Sequence, residues 1–166
     1  MAGCGCMSKL SLRQIAEYFS RSYRAVDGLW FMKVEAKQGF DGALALDDEV
    51  WKVMPKIQAR MIKSFLGLDN SLEALRESLE TKLELEEFKY ETQKTRNGFQ
   101  ITVTDCPWHN MMTKSGREHL AEKVGKTICT TEYTVWASEF SQSIKFELKS
   151  LKCGKSRHCV LDFVNQ

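Results

Sequence analysis

No apolar run in this chain approaches the roughly 18 residues of a membrane-spanning helix, so no transmembrane segment is expected. The opening Met1-Ala2-Gly3-Cys4-Gly5-Cys6-Met7 lacks the charged and apolar regions of a secretory signal. Charge of one sign is scarce too. The formal net charge is only +2, which demands neither nucleic acid nor an acidic partner. There is no internal repeat, no low-complexity segment and no paired Cys-x-x-Cys ribbon. With no secretion signal, the six cysteines are expected in a reducing cytosol, as thiols or metal ligands and not as disulfides.

What is present is ordinary for a globular chain. The 166 residues are 43% hydrophobic and 28% charged, enough to bury a core without covalent staples. A flexible N-terminus over 1–10 is expected, then a single α+β domain over 11–166, with a helical part (11–83) and a ββααββ part (84–166). Cys4 and Cys6 form a Cys-x-Cys pair in the frayed terminus. They read as an unstructured tail, or as extra ligands reaching over.

Ser11 with Gln14 reads as a capping box, followed by Leu12, Ile15, Phe19, Tyr23 and Val26 at helical spacing. Asp27 is expected to cap a second helix that stops at Gly39, and Asp47 a third. Pro55 must kink that third helix or open a fresh one. Gly67 ends it, and Asn70 with Glu73 suggests the next cap. The period then changes to two. Phe88, Tyr90 and Thr92 alternate, as do Phe99, Ile101 and Val103, with Asn97-Gly98 as a hairpin signal between them. Ser115 and Glu118 read as another capping box. Helical spacing resumes through Ile128, breaks at Cys129 and continues through Trp136 and Phe140. Ile144, Phe146 and Leu148, then Cys159, Leu161 and Phe163, predict a second hairpin. The two hairpins should join in one antiparallel sheet backed by the helices of 114–141.

Four cysteines stand at the edges of these elements: Cys106, Cys129, Cys153 and Cys159. Thiolates from separate elements can close a tetrahedral site around zinc or iron, with zinc–sulfur distances of about 2.3 Å. Separate buried thiols are the alternative. An all-cysteine site leaves no open coordination position and would be structural. Lys152, Lys155, Arg157 and His158 would offset its charge, or they form a solvated basic turn.

From Cys106-Pro107 onward the chain resembles a known pattern. A Cys-Pro after a strand leads to a helix with Ser115-Gly116-Arg117, a cysteine ends that helix, and a last cysteine opens Cys159-Val-Leu-Asp-Phe163. Upstream, Asp27-Gly-Leu-Trp30, Val34-Glu35, Ala43-Leu-Ala-Leu-Asp47, Val50-Trp51 and Ile57-Gln-Ala-Arg60 also fit. Together these look like an uncharacterised prokaryotic family related to L-2-amino-thiazoline-4-carboxylic acid hydrolase. The ββααββ ending is similar to the 4-vinyl reductase domain and to zinc-containing sensor domains. The resemblance covers most of the chain beyond residue 10. It implies metal ligands at Cys129, Cys153 and Cys159, and offers Cys106 as the fourth, since the sensors' glutamate position is Ser150 here.

Two further constellations have chemistry of their own. Cys106 at a helix N-terminus, with His109 three residues on, suits a nucleophile and base for opening a thiazoline ring, although no oxyanion hole or third partner is visible. Trp30, Glu35, Trp51 and Arg60, with Asp27, could line a small-molecule pocket between the helical half and the sheet. Otherwise the tryptophans are core and Glu35 pairs at the surface. Glu132 and Glu139 are read as facing solvent or a ligand. The leading expectation is a cytosolic small-molecule-binding domain with a structural four-cysteine zinc or iron site. A small-sulfur-heterocycle hydrolase is the second, and a contact protein third, with a homodimer through the sheet or the amphipathic helices.

Overall fold

The computed structural model describes residues 9–154 and 156–166. Cys4, Cys6 and Lys155 lie outside the described residues. By contacts the chain divides into two compact units, Met1–Ala43 and Leu44–Gln166.

The first unit is helical. Helix α1 spans Leu12–Trp51 and continues past the unit boundary, with one interruption at Gly39, whose φ of 76° and ψ of 170° are non-helical. A side chain there would be strained, so glycine stands where the helix is interrupted. The Ser11–Gln14 capping box forms as expected: Gln14 N donates to Ser11 Oγ at 3.2 Å and Ser11 N to Gln14 Oε1 at 2.8 Å. Asp27 and Asp47 do not cap new helices. Both lie inside α1: aspartate favours a helix start, but its cost in a helix interior is only about 0.7 kcal/mol, too little to break the ladder on its own.

The second unit carries the sheet. Helix α2 spans Met54–Leu66 with Pro55 in its first turn, and Gly67 ends it in the left-handed conformation. Helix α3 spans Leu72–Leu85 and is capped by Ser71, whose hydroxyl accepts from Ala74 N at 3.1 Å. The cap is thus one residue later than Asn70. Strand β1 (Lys89–Lys94) and β2 (Gly98–Asp105) form the first hairpin, and β3 (Ile144–Ser150) and β4 (Cys159–Asn165) the second. The sheet order is β1-β2-β4-β3, antiparallel throughout. The fold is α+β, as the change of period implies.

Helix α4 spans Pro107–Lys114 and α5 spans Ala121–Ser138, joined by a 3₁₀ turn at Glu118–Leu120. Ser115 therefore ends α4 and does not start the next helix. Cys129 does not interrupt α5 either. It sits mid-helix, since Thr130 and Thr131 lower helix propensity only slightly and the buried face runs on from Ile128 to Tyr133 and Trp136.

The core sits between the sheet and α3 and α5. Phe99, Ile101 and Val103 point inward from alternate positions of β2. Phe99 stacks on its cross-strand partner Phe163 at 4.8 Å, and Tyr133 of α5 packs on Phe146 at 5.4 Å. Leu75, Leu79 and Leu83 close the layer from α3. Each large apolar side chain buried here contributes about 1.5–3 kcal/mol. Because Val103 pairs with Cys159 in the register, Cys159 shares the core-facing side of the sheet with Leu161 and Phe163.

Candidate metal centre

Four elements deliver one cysteine each to the same end of the sheet. Cys106 follows the last residue of β2 and is the N-cap of α4. Cys159 opens β4, next to β2. Cys153 lies in a short 3₁₀ turn, Lys152–Gly154, between β3 and β4. Cys129 comes from the buried side of α5.

Local contacts hold the turn in place. Lys152 N donates to Cys159 Sγ at 3.3 Å, and Lys152 Nζ donates to Thr104 O at 3.3 Å, which ties the turn to the end of β2. Ser150 Oγ donates to His158 O at 2.8 Å across its base. The turn also rests on α5. A Cβ added to Gly125 would lie 3.2 Å from the Leu151 side chain, and one added to Gly154 would lie 3.3 Å from Glu122 Oε1. Gly125 thus lets the turn approach the helix, and Cys129 is one helical turn further along the same face.

All four thiols are partly buried and free, and all six pairings among them are electrostatically coupled. Burial first, then the other thiols, pushes Cys106 up to about 12 and Cys153 up to about 11. The amides of His109 and Trp108 at the start of α4 oppose this for Cys106 without overcoming it. Burial likewise raises Cys129 well above the ordinary thiol value, helped by Glu132, and raises Cys159 against the pull of the Lys152 amide. Among the described residues, no group of three or more Cys, His, Asp or Glu side chains is arranged to hold a metal ion.

Beneath the thiols lies a group that sequence reasoning missed. Lys82 of α3 is buried, with its ammonium 2.9 Å from Glu132 Oε1 and 3.0 Å from Glu86 Oε2. Phe88, Trp136 and Tyr133 surround it at 5.5, 5.8 and 5.9 Å. Trp108 Nε1 donates to Glu86 at 3.4 Å. Glu132 is therefore neither solvent-facing nor free. The available signal was Lys82 itself, three residues after Leu79 and seven after Leu75, on the apolar side of its helix.

The other expected site residues have separate surroundings. Trp30 is 68% exposed and belongs to the first unit, as does Glu35. Trp51 is buried in the second unit, edge-on to Trp108 at 6.4 Å. Arg60 clasps Glu139 with two hydrogen bonds of 2.6 and 3.0 Å. His109 Nε2 lies 3.9 Å from Glu118.

Residues 6–164 match the family of unknown function DUF6125. The chain belongs to that family. No curated protein and no solved structure shows significant similarity to it. Family membership carries no assigned activity, so chemistry must be argued from the site. By donor type, four thiols in one half-buried neighbourhood fit a soft or borderline ion such as zinc or iron. No helix among the described residues is long and apolar enough to cross a membrane.

Proposed function

We propose that this protein is a metal-binding domain, with Cys106, Cys129, Cys153 and Cys159 as the ligands of a structural zinc or iron ion. The observation that carries the reading is geometric: Cys106 after β2, Cys159 at the start of the neighbouring β4 and Cys153 in the β3–β4 turn share one end of the sheet, and Cys129 packs with Cys106 and Cys159 against the same core from α5. Free thiols pushed this high are protonated at neutral pH. Four of them crowded together gain most from a cation that would hold them as thiolates. Bound there, the ion would supply a tetrahedral cross-link between α4, α5 and the β3–β4 connection.

The hydrolase reading is weaker. Cys106, raised to about 12, is a poor nucleophile without a metal, and an all-thiolate site offers no water position. Small-molecule binding in a cytosolic setting is the broader reading and rests on the resemblance to the vinyl reductase and sensor domains. Its candidate residues Trp30, Glu35, Trp51 and Arg60 add nothing to the metal argument.

The test is metal analysis of the full chain purified anaerobically without added metal, alongside thiol titration. About one zinc or iron per chain is expected, retained by Cys4→Ser and Cys6→Ser but lost with any one of the four proposed ligands. Failure to hold either metal after reconstitution with Zn²⁺ or Fe²⁺, with all thiols titrating freely, would sink the proposal.

A further inference from the structure

The first unit presents an apolar stripe to water. Leu12, Phe19 and Val26 recur at seven-residue intervals, and Ile15 and Leu29 fall at the fourth position of the same heptads. Tyr18 and Trp30 widen the stripe on its two sides. Through residue 27 most of the remaining positions are polar, among them Arg13, Glu17, Arg21 and Arg24, with Ala16, Tyr23 and Ala25 the exceptions. Glu17 and Arg21 pair with each other at 2.6 Å along the helix. Such a division into an a/d seam and polar outer positions is how helices that pair with other helices are patterned.

The exposure is large. Leu12 is 86% exposed, Val26 and Trp30 68%, Phe19 64%, Tyr18 62% and Leu29 58%. An open groove runs between Phe19, Tyr23, Val26 and Trp30. Aromatic side chains bury roughly 150–250 Å² each. Three of them, with the aliphatic residues, offer on the order of 800 Å², about what each partner gives to a stable interface. A patch of this size on a protein surface marks a contact site.

We propose that this stripe of α1 is the interface at which two copies of the chain pair, helix against helix. A second copy is the occupant that the pattern favours. The seam from Leu12 to Leu29 is apolar at every heptad position but Ser22, and an identical chain supplies a helix with the same length of seam and the same area, about what each partner of a stable dimer gives.

Sedimentation velocity and light scattering of the full chain, over a wide concentration range, test the idea. Phe19→Glu and Trp30→Glu are the variants, with circular dichroism to follow the fold. A dimer is expected that each variant weakens at least a hundredfold while helical content is retained. A wild-type monomer at all concentrations overturns the proposal, whether another protein or the rest of the same chain covers the stripe. So does a higher oligomer, or a dimer that both variants leave intact. Should both variants lose helix, a photo-crosslinking residue decides. Chain-to-chain crosslinks from position 26 but not from position 13 uphold the interface, and their absence from position 26 overturns it. The metal content of the protein is not a readout here, so this inference and the thiolate site stand or fall separately.

Discussion

Lys82 and Glu132 meet at 2.9 Å inside the second unit, with side chains only 3% and 9% exposed. Glu86 completes the group from 3.0 Å. One ammonium is shared by two carboxylates, so the group is one positive charge short. No well-aligned hydrogen bond closes on Glu132 Oε1. Burial alone would lower the Lys82 pKa, but the two carboxylates outweigh it and leave it raised. Burial raises Glu132, and Lys82 opposes that rise incompletely.

Removing the lysine should therefore be far worse than removing one acid. Lys82→Met leaves two buried carboxylates without a cation and is expected to cost about 3–5 kcal/mol. Glu132→Gln leaves Lys82 paired with Glu86 and should change stability by less than about 1 kcal/mol at neutral pH, in either direction. Urea titrations of both variants check the contrast. A Lys82→Met protein as stable as the wild type would mean that the group is not ionised in the core.

The pH dependence follows from the same directions. Glu132 holds its proton more tightly when folded. The stability it contributes is therefore complete below the ordinary glutamate value of 4.5 and fades as pH rises through the higher folded value. Lys82 contributes fully below its ordinary 10.5 and loses that contribution only above it. Glu132→Gln should flatten the stability profile from about pH 4.5 upward, the range over which Glu132 gives up its proton, and leave the limb governed by Lys82 unchanged. Thermal melts across pH for wild type and variant read this directly.

Much of this architecture was legible in the sequence because it rests on period. Alternating Phe99, Ile101 and Val103 and the Asn97-Gly98 signal gave the first hairpin, and Cys159, Leu161 and Phe163 gave the partner of the second. Helix boundaries were less legible. Asp27, Asp47 and Ser115 have cap chemistry, but that chemistry is also compatible with a helix interior or a C-terminus, and tertiary context decides. Cys129 sits inside α5 where the sequence suggests a break, because helical spacing interrupted by β-branched residues does not stop a helix whose buried face continues. Lys82 was hidden because a lysine normally marks a solvated position. Only the packed structure puts two acids and three rings around it.

Arg60 and Glu139 form an ion pair with two hydrogen bonds, yet it should contribute little. Arg60 is 69% exposed, so water and salt screen the attraction. Arg60→Ala is expected to cost no more than about 1 kcal/mol and to cost less still in high salt. Parallel denaturation curves at low and high ionic strength test this. A loss of several kcal/mol would imply that the arginine has a further role, such as holding a ligand.

The last prediction links packing to the thiol site without touching a sulfur. Gly125 faces Leu151, where an added Cβ would lie 3.2 Å from the leucine side chain. Alanine needs only a few tenths of an ångström of yielding. Valine adds two methyl groups to that contact and must push residues 151–154 off α5. Cys153 travels with that turn, while Cys129 stays on the helix. If the proposed site holds zinc, Gly125→Val should therefore weaken its retention about tenfold or more, as loss of supporting contacts does at metal sites. The sheet should survive, because Phe99, Phe163 and Trp136 pack away from the substitution. Competition with a chromophoric chelator measures the first effect, and far-ultraviolet circular dichroism the second. Unchanged zinc affinity in Gly125→Val, with Gly125→Ala as the mild control, would show that the contact between the turn and α5 does not set the position of Cys153.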